Sequence, residues 1–323
     1  MHRISRDRSL HQMGKGVRGR FLYTAHGAHM AVSNAALSKA HAARPADVYL
    51  DMLDIVMEAI THLSHDRRVL RDVDLDTVED IRELLIRVSI FDATTFELPA
   101  PIATWAQVND TTARCKLQLR LQEGYGGPDK AFLVPGEDHD SLYFTDFVEL
   151  SDSGRIYLFD TGYYSIDHYD DLTESDNFFV TRKHANLSME VLEERSVSQE
   201  VGSSGYTILR DCIVLVGVDE RRSSCRYRAL EIINSEGKKY WLLTNLLGLT
   251  AEQIAQLWRY QWTVEIVFRW LKLQLQLDHM IAYSLNGILI QVAVALIVYG
   301  LLVLYNQDAT FACSLAMSDS TGI

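Results

Sequence analysis

The chain has few cysteines, and none of them are paired in sequence. Its four cysteines are scattered among 323 residues without a C-x-x-C pair: Cys115, Cys212, Cys225 and Cys313. This spacing excludes a disulfide framework and a cysteine-based zinc site, and it is typical of a protein in a reducing cytosol. The start of the chain is polar and has no apolar segment, so we predict no secretory signal.

Positive charge is also scarce. The chain has 31 Lys and Arg against 43 Asp and Glu, a formal charge of −12 with a pI near 5.4. Overall charge therefore disfavours nucleic-acid binding, because phosphate contacts depend on Lys and Arg. The first twenty residues are an exception, with one acid and six basic residues: Arg3, Arg6, Arg8, Lys15, Arg18 and Arg20. This arm could bind phosphate or be a solvated terminus.

Neither internal repeats nor low-complexity segments occur, and there is one long apolar run. With 48% apolar and 23% charged residues, the composition predicts a folded globular protein. The apolar run covers residues 288–304 and is nearly long enough to cross a bilayer. Gln291 and Gly300 interrupt it and no basic cluster flanks it. We therefore predict a buried core helix, with a membrane anchor as the alternative.

The order of helix and strand signals predicts an α/β protein. Helices are predicted over 29–64 with an interruption at Pro45, and over 77–86, 141–150 and 250–277. Strands are predicted over 88–92, 115–122, 131–134 and 155–160, and residues 177–245 are mostly β. Thr250 and Gln253 form a predicted capping box at the start of the last long helix.

Two predicted strands end on an acid, Asp92 and Asp160. Functional groups in α/β sheets gather at strand ends and in the loops beyond them. Small residues follow each acid, which would allow a ligand to approach the backbone. A lone Asp in this position is more often a turn former or a helix cap, so neither acid identifies a site by itself.

A third acid, Glu265, lies on the predicted helix 250–277. Helical periodicity places positions 258, 261, 265 and 272 on one face. The neighbouring face is apolar and could pack on a core, with Ile254, Leu257, Val264, Phe268 and Leu271. Glu265 is then predicted at the edge of the core, leaning toward the two strand-end acids. The alternative is an ordinary amphipathic helix with a solvated Glu.

Three convergent carboxylates have a clear chemical use. They can hold two divalent cations, Mg²⁺ or Mn²⁺, through oxygen ligands and leave positions open for a phosphate. Such a pair activates a water or a 3′-hydroxyl for in-line displacement at phosphorus. A nearby Lys can hold a phosphate as a point charge.

Three segments of the chain resemble transposases of the insertion-sequence-4 family. They are FDATTFELP around Asp92, YLFDTGYYS around Asp160 and LLTNLLGLTAEQIAQLWRYQWTVEIVFRWLK around Glu265, in the family's order. The family signature Tyr-x2-Arg-x3-Glu-x6-Lys is matched in register by Glu265 and Lys272, and the resemblance covers about residues 85–305. Arg182 in FFVTRKH is similar to an Arg that the family typically carries.

The resemblance implies a ribonuclease H-like mixed sheet flanked by helices, with a β-rich insertion and a helical N-terminal region. The predicted parts are 1–85, which could bind DNA ends, 86–176 and 246–305 as the two parts of the core, 177–245 as the insertion, and 306–323 as the tail. Within the tail, residues 314–323 (SLAMSDSTGI) are expected to be unstructured. It implies Asp92, Asp160 and Glu265 as catalytic ligands of two Mg²⁺ or Mn²⁺ ions. Lys272, Trp258, Gln261 and Arg182 are the expected DNA contacts.

Trp258 and Gln261 depart from the family signature, which has Tyr and Arg at these positions. Trp keeps an aromatic group, but Gln lacks the charge that binds phosphate. Arg259 and Tyr260 are not expected to substitute, because they lie off the face of Glu265 on a continuous helix. The chain also ends soon after the apolar helix, whereas family members commonly continue. These features predict a degenerate or truncated copy.

The function implied by the resemblance is transposition of DNA. Its expected partners are the terminal inverted repeats, the target DNA and a second copy of the chain on paired ends, in the cytoplasm at the nucleoid and without a membrane. Three alternatives remain: an inactive relative that binds DNA and inhibits transposition, a nuclease that cuts without joining, and a protein anchored in a membrane by residues 288–304.

Overall fold

The structure is a computed structural model that describes residues 2–3, 22–23, 29–30, 34–68, 80–122, 127–151, 153–197, 202–274, 277 and 279–319. The strands are His2–Arg3 (β1), Leu22–Tyr23 (β2), His29–Met30 (β3), Val88–Leu98 (β4), Gln107–Asn109 (β5), Thr112–Gln122 (β6), Gly127–Pro135 (β7), Ile156–Phe159 (β8), Phe178–Arg182 (β9), Met189–Arg195 (β10), Thr207–Val216 (β11), Tyr227–Ile233 (β12) and Lys239–Thr244 (β13). The α-helices are Asn34–Ala43 (α1), Asp47–Arg68 (α2), Phe144–Phe147 (α3), Ile166–Glu174 (α4), Ala251–Arg259 (α5), Gln261–Gln274 (α6) and Leu285–Asp319 (α7).

A mixed sheet organises the chain. Its strands follow the order β1-β7-β6-β4-β8-β9-β13-β12-β11-β10, with β5 paired to β6. Within it, β7, β6 and β4 are antiparallel neighbours, while β8 and β9 continue from β4 in parallel. Three antiparallel strands followed by two parallel ones are the arrangement expected from the resemblance. The predicted fold class, an α/β mixed sheet flanked by helices, is confirmed.

Alternating side chains give the sheet two different cores. Ile90 on β4 and Leu158 on β8 face an aliphatic core, which α2, α5, α6 and α7 cover. Their chain neighbours Phe91 and Phe159 face the opposite side, where their rings stack 5.1 Å apart in an aromatic core under α3 and α4. Burial on both faces of the central strands produces a three-layer α/β/α domain.

The N-terminal helical prediction is confirmed in part. Pro45 lies between α1 and α2, as predicted, because proline cannot continue a helix through its interior. The first helix begins at Asn34 rather than 29, since His29 and Met30 pair with β2. The basic arm lies outside the described residues, apart from His2 and Arg3, which pair with β7.

Two shorter helices differ from prediction. The part of the predicted helix 77–86 that the structure describes forms two 3₁₀ turns, Ile81–Glu83 and Leu85–Arg87. The predicted helix 141–150 is a 3₁₀ turn followed by the single turn of α3. Both segments run directly into extended backbone, at Val88 and Val148, so neither has the length for a stable α-helix.

The apolar helix α7 forms part of the core, as predicted. It packs against α2 and β7, and Gly300 allows close approach, because a Cβ there would lie 2.5 Å from Val56 Cγ1. By length and composition Leu285–Asn306 could also cross a membrane, but 61% of its most apolar window is buried, so this is weak evidence for a membrane span. α7 continues to Asp319, so the segment 314–323 that was expected to be unstructured is helical over 314–319, and its last four residues lie outside the described part of the chain.

The β-rich segment 177–245 is not separate from the core sheet. Its first strand, β9, is the fifth core strand, paired in parallel with β8. β13 pairs with β9, and β12, β11 and β10 extend the same sheet outward. The predicted insertion boundary at 177 therefore moves beyond Arg182. Single-sequence patterns show that a segment is a strand but not which strand it pairs with.

The long helix predicted over 250–277 is two helices. The predicted capping box is present, with Gln253 N donating to Thr250 Oγ1 at 3.2 Å. The helix breaks at Tyr260, whose N–H donates to Leu257 O and Trp258 O. The predicted apolar stripe, from Ile254 to Leu271, is nonetheless buried in both halves. Because the stripe keeps its register across the break, periodicity could not reveal it.

A buried ion pair fixes the loop that leads into α5. Arg228 on β12 donates to both carboxylate oxygens of Asp211 on β11, at 2.9 and 2.7 Å. The same guanidinium donates to Leu249 O, one residue before the helix N-cap. Arg228 and Asp211 are 3% exposed, so their charges depend on each other for solvation. This pair couples the outer strands to the start of the helix pair α5–α6.

Replacing Arg228 by Met should lower the free energy of unfolding by about 3–5 kcal/mol, because Asp211 would keep a buried, unpaired charge. Replacing both residues, with Asp211→Leu, should recover most of that loss. Arg210→Met is the matched control, since Arg210 forms an exposed pair with Glu194 and its loss should have a much smaller effect on stability. Guanidinium unfolding measures all three. Equal losses for Arg228→Met and Arg210→Met would contradict this role.

A candidate active site of three carboxylates

Asp92 and Asp160 lie where two parallel strands separate. The pairing of β4 with β8 ends at Phe91 and Phe159, so the next residue on each strand is one of the two acids. Asp160 ends β8 as predicted, but Asp92 does not end β4, which continues to Leu98 paired with β6 alone. The sequence pattern missed this extension because a one-sided strand is less apolar than a buried one.

Each aspartate is oriented by its own backbone. Asp92 Oδ1 accepts a hydrogen bond from the N–H of Ala93 at 2.8 Å. Asp160 Oδ1 accepts from the N–H of Thr161 at 2.7 Å and caps the 3₁₀ turn that follows. The second oxygen of Asp160 accepts a hydrogen bond from Arg182 Nη2.

Glu265 reaches the site from α6. The buried side chains of Val264, Phe268 and Leu271 seat this helix on the aliphatic core beside β4, with Glu265 on the open side. A cleft of about 450 Å³ lies between β4 and α6. Its lining contains the acids Asp92 and Glu265 and the cations Arg269 and Lys272, together with Ala93, Thr94, Phe268 and Leu273.

The three carboxylates act electrostatically on one another. Burial is the largest cause that raises the pKa of Asp92 to about 7, and the hydrogen bond from the Ala93 N–H opposes it. The charges of Asp160 and Glu265 raise this pKa by smaller amounts. Burial and the charge of Asp160 also raise the pKa of Glu265, while Arg182 and Arg269 act to lower it. An excess of negative charge therefore concentrates at this edge of the sheet.

The donor set fits hard divalent cations. Carboxylate oxygens are the ligands that Mg²⁺ and Mn²⁺ prefer, and a bound cation would offset the repulsion that raises these pKa values. Within the described residues, no three His, Cys, Asp or Glu side chains converge closely enough to hold a metal ion in this conformation. Asp92, Asp160 and Glu265 are thus near enough to affect one another's pKa values, but they would have to move closer together to bind one metal ion.

Among the predicted DNA contacts, Lys272 and Arg182 lie at the site. Lys272 Nζ donates to Thr95 O at 3.3 Å and lies 5.3 Å from the centre of the Phe96 ring, at the wall of the cleft. Arg182 forms a two-point ion pair with Asp160. Lys272 is therefore placed to meet a phosphate, whereas Arg182 is held by an acid in this conformation.

Trp258 and Gln261 are buried, with exposed fractions of 7% and 6%. They do not share an open face with Glu265 and Lys272, so the prediction that all four residues lie on one helix face is wrong. Trp258 lies on α5, which packs on the sheet. Gln261 Oε1 has no hydrogen-bond partner among the described residues. A DNA contact by either side chain stays a prediction that requires the helix junction to open.

Sequence patterns missed several charged residues near the site. Arg269 lies one turn after Glu265, a spacing that could have indicated a charge pair. Asp140 accepts hydrogen bonds from Lys116 and Gln118, and its charge contributes to the raised pKa of Asp92. It belongs to the acidic loop 137–140, which the sequence alone could not distinguish from a solvated cluster.

The break at Tyr260 creates a second cleft of about 450 Å³ on the outer side of the helix pair. Arg259, Tyr260 and Arg82 line it together with Trp262, whose exposed ring lies 5.7 Å from the Arg269 guanidinium. On a continuous helix Arg259 and Tyr260 were expected to lie off the face of Glu265. The break instead places them beside Trp262, and sequence periodicity gave no signal of this.

A sequence model of one protein family, described as a transposase DDE domain, matches residues 83–301. A protein named as a transposase in Sinorhizobium fredii is 31% identical over 152 residues, which cover 47% of this chain and 42% of that protein. A protein named as a probable transposase for an insertion sequence element of Geobacillus stearothermophilus is 26% identical over 219 residues, which cover 68% of this chain and 56% of that protein. One from a Synechocystis insertion sequence is 24% identical over 172 residues, covering 51% and 45%.

The matched segments thus span about half the length of these relatives. Among solved structures, a cryo-EM structure of a piggyBac transposase synaptic complex with hairpin DNA matches 76% of this chain and 55% of that chain. Its sequence identity is 12% and its TM-score 0.41, a similarity too weak to support an argument.

Asp92→Asn should make stability less dependent on pH. The pKa of Asp92 is about 7 in the folded chain and near 4 in an unfolded one, so between these values only the folded chain keeps the proton. This contribution to stability therefore falls as the pH rises from about 4 to 7. In metal-free buffer, the free energy of unfolding of Asp92→Asn minus that of the wild type should rise by about 1–2 kcal/mol from pH 5 to pH 8, after allowance for partial solvent access.

Urea unfolding of both proteins in the presence of a chelator measures this difference. Asp51→Asn, at an exposed position on α2, serves as the control and should track the wild type at both pH values. A stability difference between Asp92→Asn and the wild type that stays constant from pH 5 to pH 8 would show that the carboxyl pKa is not raised.

Proposed function

The chain belongs to the family of transposases with a DDE domain, as its sequence resemblance predicted, and from this premise we propose that it is a metal-dependent DNA transposase. The observation that supports the proposal is that Asp92, Asp160 and Glu265, which come from three separate segments, are near enough for their charges to contribute to the raised pKa values of Asp92 and Glu265. In this conformation they do not converge closely enough to hold a metal ion, so the proposal includes a movement that brings them together. Random acids on a protein surface would relax away from one another.

In this proposal Asp92, Asp160 and Glu265 hold two Mg²⁺ or Mn²⁺ ions. When bound, such ions supply Lewis acidity to a phosphodiester and lower the pKa of an attacking water or hydroxyl. The protein contributes two aspartates, each oriented by the backbone N–H of the residue that follows it, and a glutamate on a helix that packs on the core. Positioning on a strand pair and a packed helix limits the movement needed to bind a phosphate.

The proposed reaction is phosphodiester transfer in two steps. A water attacks the phosphodiester at an element end, which breaks the P–O bond and releases a 3′-hydroxyl. That hydroxyl then attacks a phosphodiester of target DNA, forming one P–O bond as another breaks, without a covalent enzyme intermediate. Lys272, at the wall of the cleft beside Glu265, would hold a phosphate as a point charge.

The proposed partners are the terminal inverted repeats and target DNA, in the cytoplasm at the nucleoid. Because two ends must be joined in one complex, the proposal includes a homodimer on paired ends. The net charge of −12 means that DNA binding must depend on local cations. Arg269 and Lys272 line the main cleft, and Arg259 lines the second cleft together with Arg82, whose charge is paired with that of Asp80. We propose that Arg269, Lys272 and Arg259 supply these cations.

A second candidate function is favoured by the burial of Gln261 and Trp258. These residues replace the Arg and Tyr of the family signature, and neither offers a charge or an open surface to DNA in this conformation. A chain that binds DNA ends through its other cations but cleaves weakly would act as an inhibitor of transposition. DNA binding without cleavage distinguishes this candidate from the enzyme.

Glu265→Gln should abolish cleavage of DNA that carries the terminal repeats flanking the gene. The substitution keeps the size of the side chain and removes the charge that a metal needs, so cleavage in Mg²⁺ or Mn²⁺ should fall at least about 100-fold. DNA binding by the variant, measured by fluorescence anisotropy, should remain. Glu194→Gln on the outer strand β10 is the control and should cleave like the wild type.

Equal cleavage by Glu265→Gln and the wild type would contradict the proposed site. Strand-transfer products from a plasmid target identify a transposase, whereas cut DNA without joined products identifies a nuclease. A wild-type protein that binds the ends and leaves them uncut in both metals would favour the inhibitor.

A further inference from the structure

Arg182 forms hydrogen bonds to both carboxylate oxygens of Asp160. It ends β9, and the pairing of Phe159 with Thr181 brings it alongside Asp160. Arg182 Nε donates to Asp160 Oδ1 at 2.8 Å, and Nη2 donates to Oδ2 at 2.5 Å. The planar guanidinium thus engages both oxygens of a carboxylate that is proposed to bind metal.

The guanidinium also acts on a second carboxylate of the site. The hydrogen bond to Asp160 is the first cause of the raised pKa of Arg182, and the charge of Glu265 contributes to the same shift. In return Arg182 is among the groups that act to lower the pKa of Glu265. Its positive charge therefore lies within range of two acids that repel each other, where a divalent cation is expected.

We infer that Arg182 is a resident counter-cation that holds Asp160 in the metal-free protein, leaves it when a divalent cation binds, and is then available to a DNA phosphate. The inference rests on the proposed metal-dependent function. Asp160 Oδ1 accepts from both Thr161 N and Arg182 Nε, and Oδ2 accepts from Arg182 Nη2, so three of the roughly four lone-pair sites of the carboxylate are taken. A divalent cation that binds Asp160 would also repel the adjacent guanidinium charge, so we expect it to displace Arg182.

Displacement of Arg182 is favourable only because the positive charge of the metal ion takes the place of the guanidinium charge beside Asp160. Arginine stays protonated at every physiological pH, so Arg182 cannot leave by losing its proton. A divalent ion that contacts Asp160 and Glu265 neutralises both and weakens the hold of Asp160 on the guanidinium. The released side chain, one third exposed at the edge of the site, keeps two-point donors that match a phosphate.

This exchange predicts that Arg182 competes with metal. In Arg182→Met, which removes the charge and keeps the unbranched side chain, the Kd for Mn²⁺ should fall about three- to tenfold, because no ion pair has to be broken. Arg182→Lys keeps the charge without the fork and should give an intermediate value. Isothermal titration of Mn²⁺ into the full chain without DNA measures each Kd.

Arg269→Met is the matched control. It removes the same charge near Glu265, but among the described residues Arg269 forms no hydrogen bond to Asp160. The Kd of this variant for Mn²⁺ should therefore differ from that of the wild type by no more than about twofold. A second readout follows the arginine directly. In the wild type the Nε–H resonance of Arg182 should exchange slowly with water without metal and rapidly with saturating Mg²⁺.

The outcomes separate the inference from the proposed function. If the wild type and Arg182→Met bind Mn²⁺ equally well, or the variant binds less tightly while far-UV circular dichroism shows it folded, the counter-cation role is overturned and the metal site stands. If neither binds Mn²⁺, the proposed metal-dependent function fails and the inference fails with it. An Nε–H resonance of Arg182 that stays protected with Mg²⁺ also overturns the exchange.

Discussion

Electrostatic repulsion among three carboxylates is the interaction on which this site depends. Burial is the main cause of the raised pKa values of Asp92 and Glu265, and repulsion from the neighbouring carboxylates adds to it. The parallel pairing of β4 and β8 fixes the two aspartates, and the buried side of α6 fixes the glutamate. A divalent cation bound here, as we propose, would reduce this repulsion.

The scaffold holds the acids from a distance. The buried Arg228–Asp211 pair and the capping box at Thr250 set where α5 begins, and α5 leads directly into the helix that carries Glu265. Asn245 adds a link between strands: its side chain accepts from Phe179 N and donates to Asn177 O, which ties the end of β13 to the start of β9. Precise placement of one carboxylate therefore depends on polar groups far from the chemistry.

Local charge matters more here than the total. The chain is strongly acidic overall, yet Arg182, Arg269 and Lys272 surround the acids at the site. This arrangement offers both an attractive environment for divalent metal and cationic groups for the phosphate that accompanies it. The net charge of the chain, which disfavours DNA binding, does not show that cations are concentrated at this cleft.

Much of the fold could be predicted from sequence because it depends on local patterns. The apolar stripe through Val264 and Leu271, the capping box and the proline break all follow from helix geometry, and the structure has them. Motif order led to the three acids, although their roles are proposals. Asp160 was correctly placed at a strand end because a turn follows it directly.

What the sequence could not provide depends on packing between distant segments. β9 reads as the first strand of an insertion until its pairing with β8 is known. The break at Tyr260 leaves the apolar stripe intact, so periodicity predicts one helix and one shared face. The burial of Trp258 and Gln261 follows from the sheet beneath α5, and the ion pair of Arg182 with Asp160 follows from strand register.

The most direct test of the account is a crystal structure of the full chain grown with Mn²⁺ and measured at a wavelength that gives an anomalous signal from the metal. The account predicts an anomalous peak within about 2.0–2.3 Å of carboxylate oxygens of Asp92, Asp160 and Glu265. The carboxylates would then lie closer together than in the metal-free chain. An ordered site with no anomalous peak among these three acids, at a Mn²⁺ concentration that supports DNA cleavage, would contradict the claim that they form the metal centre.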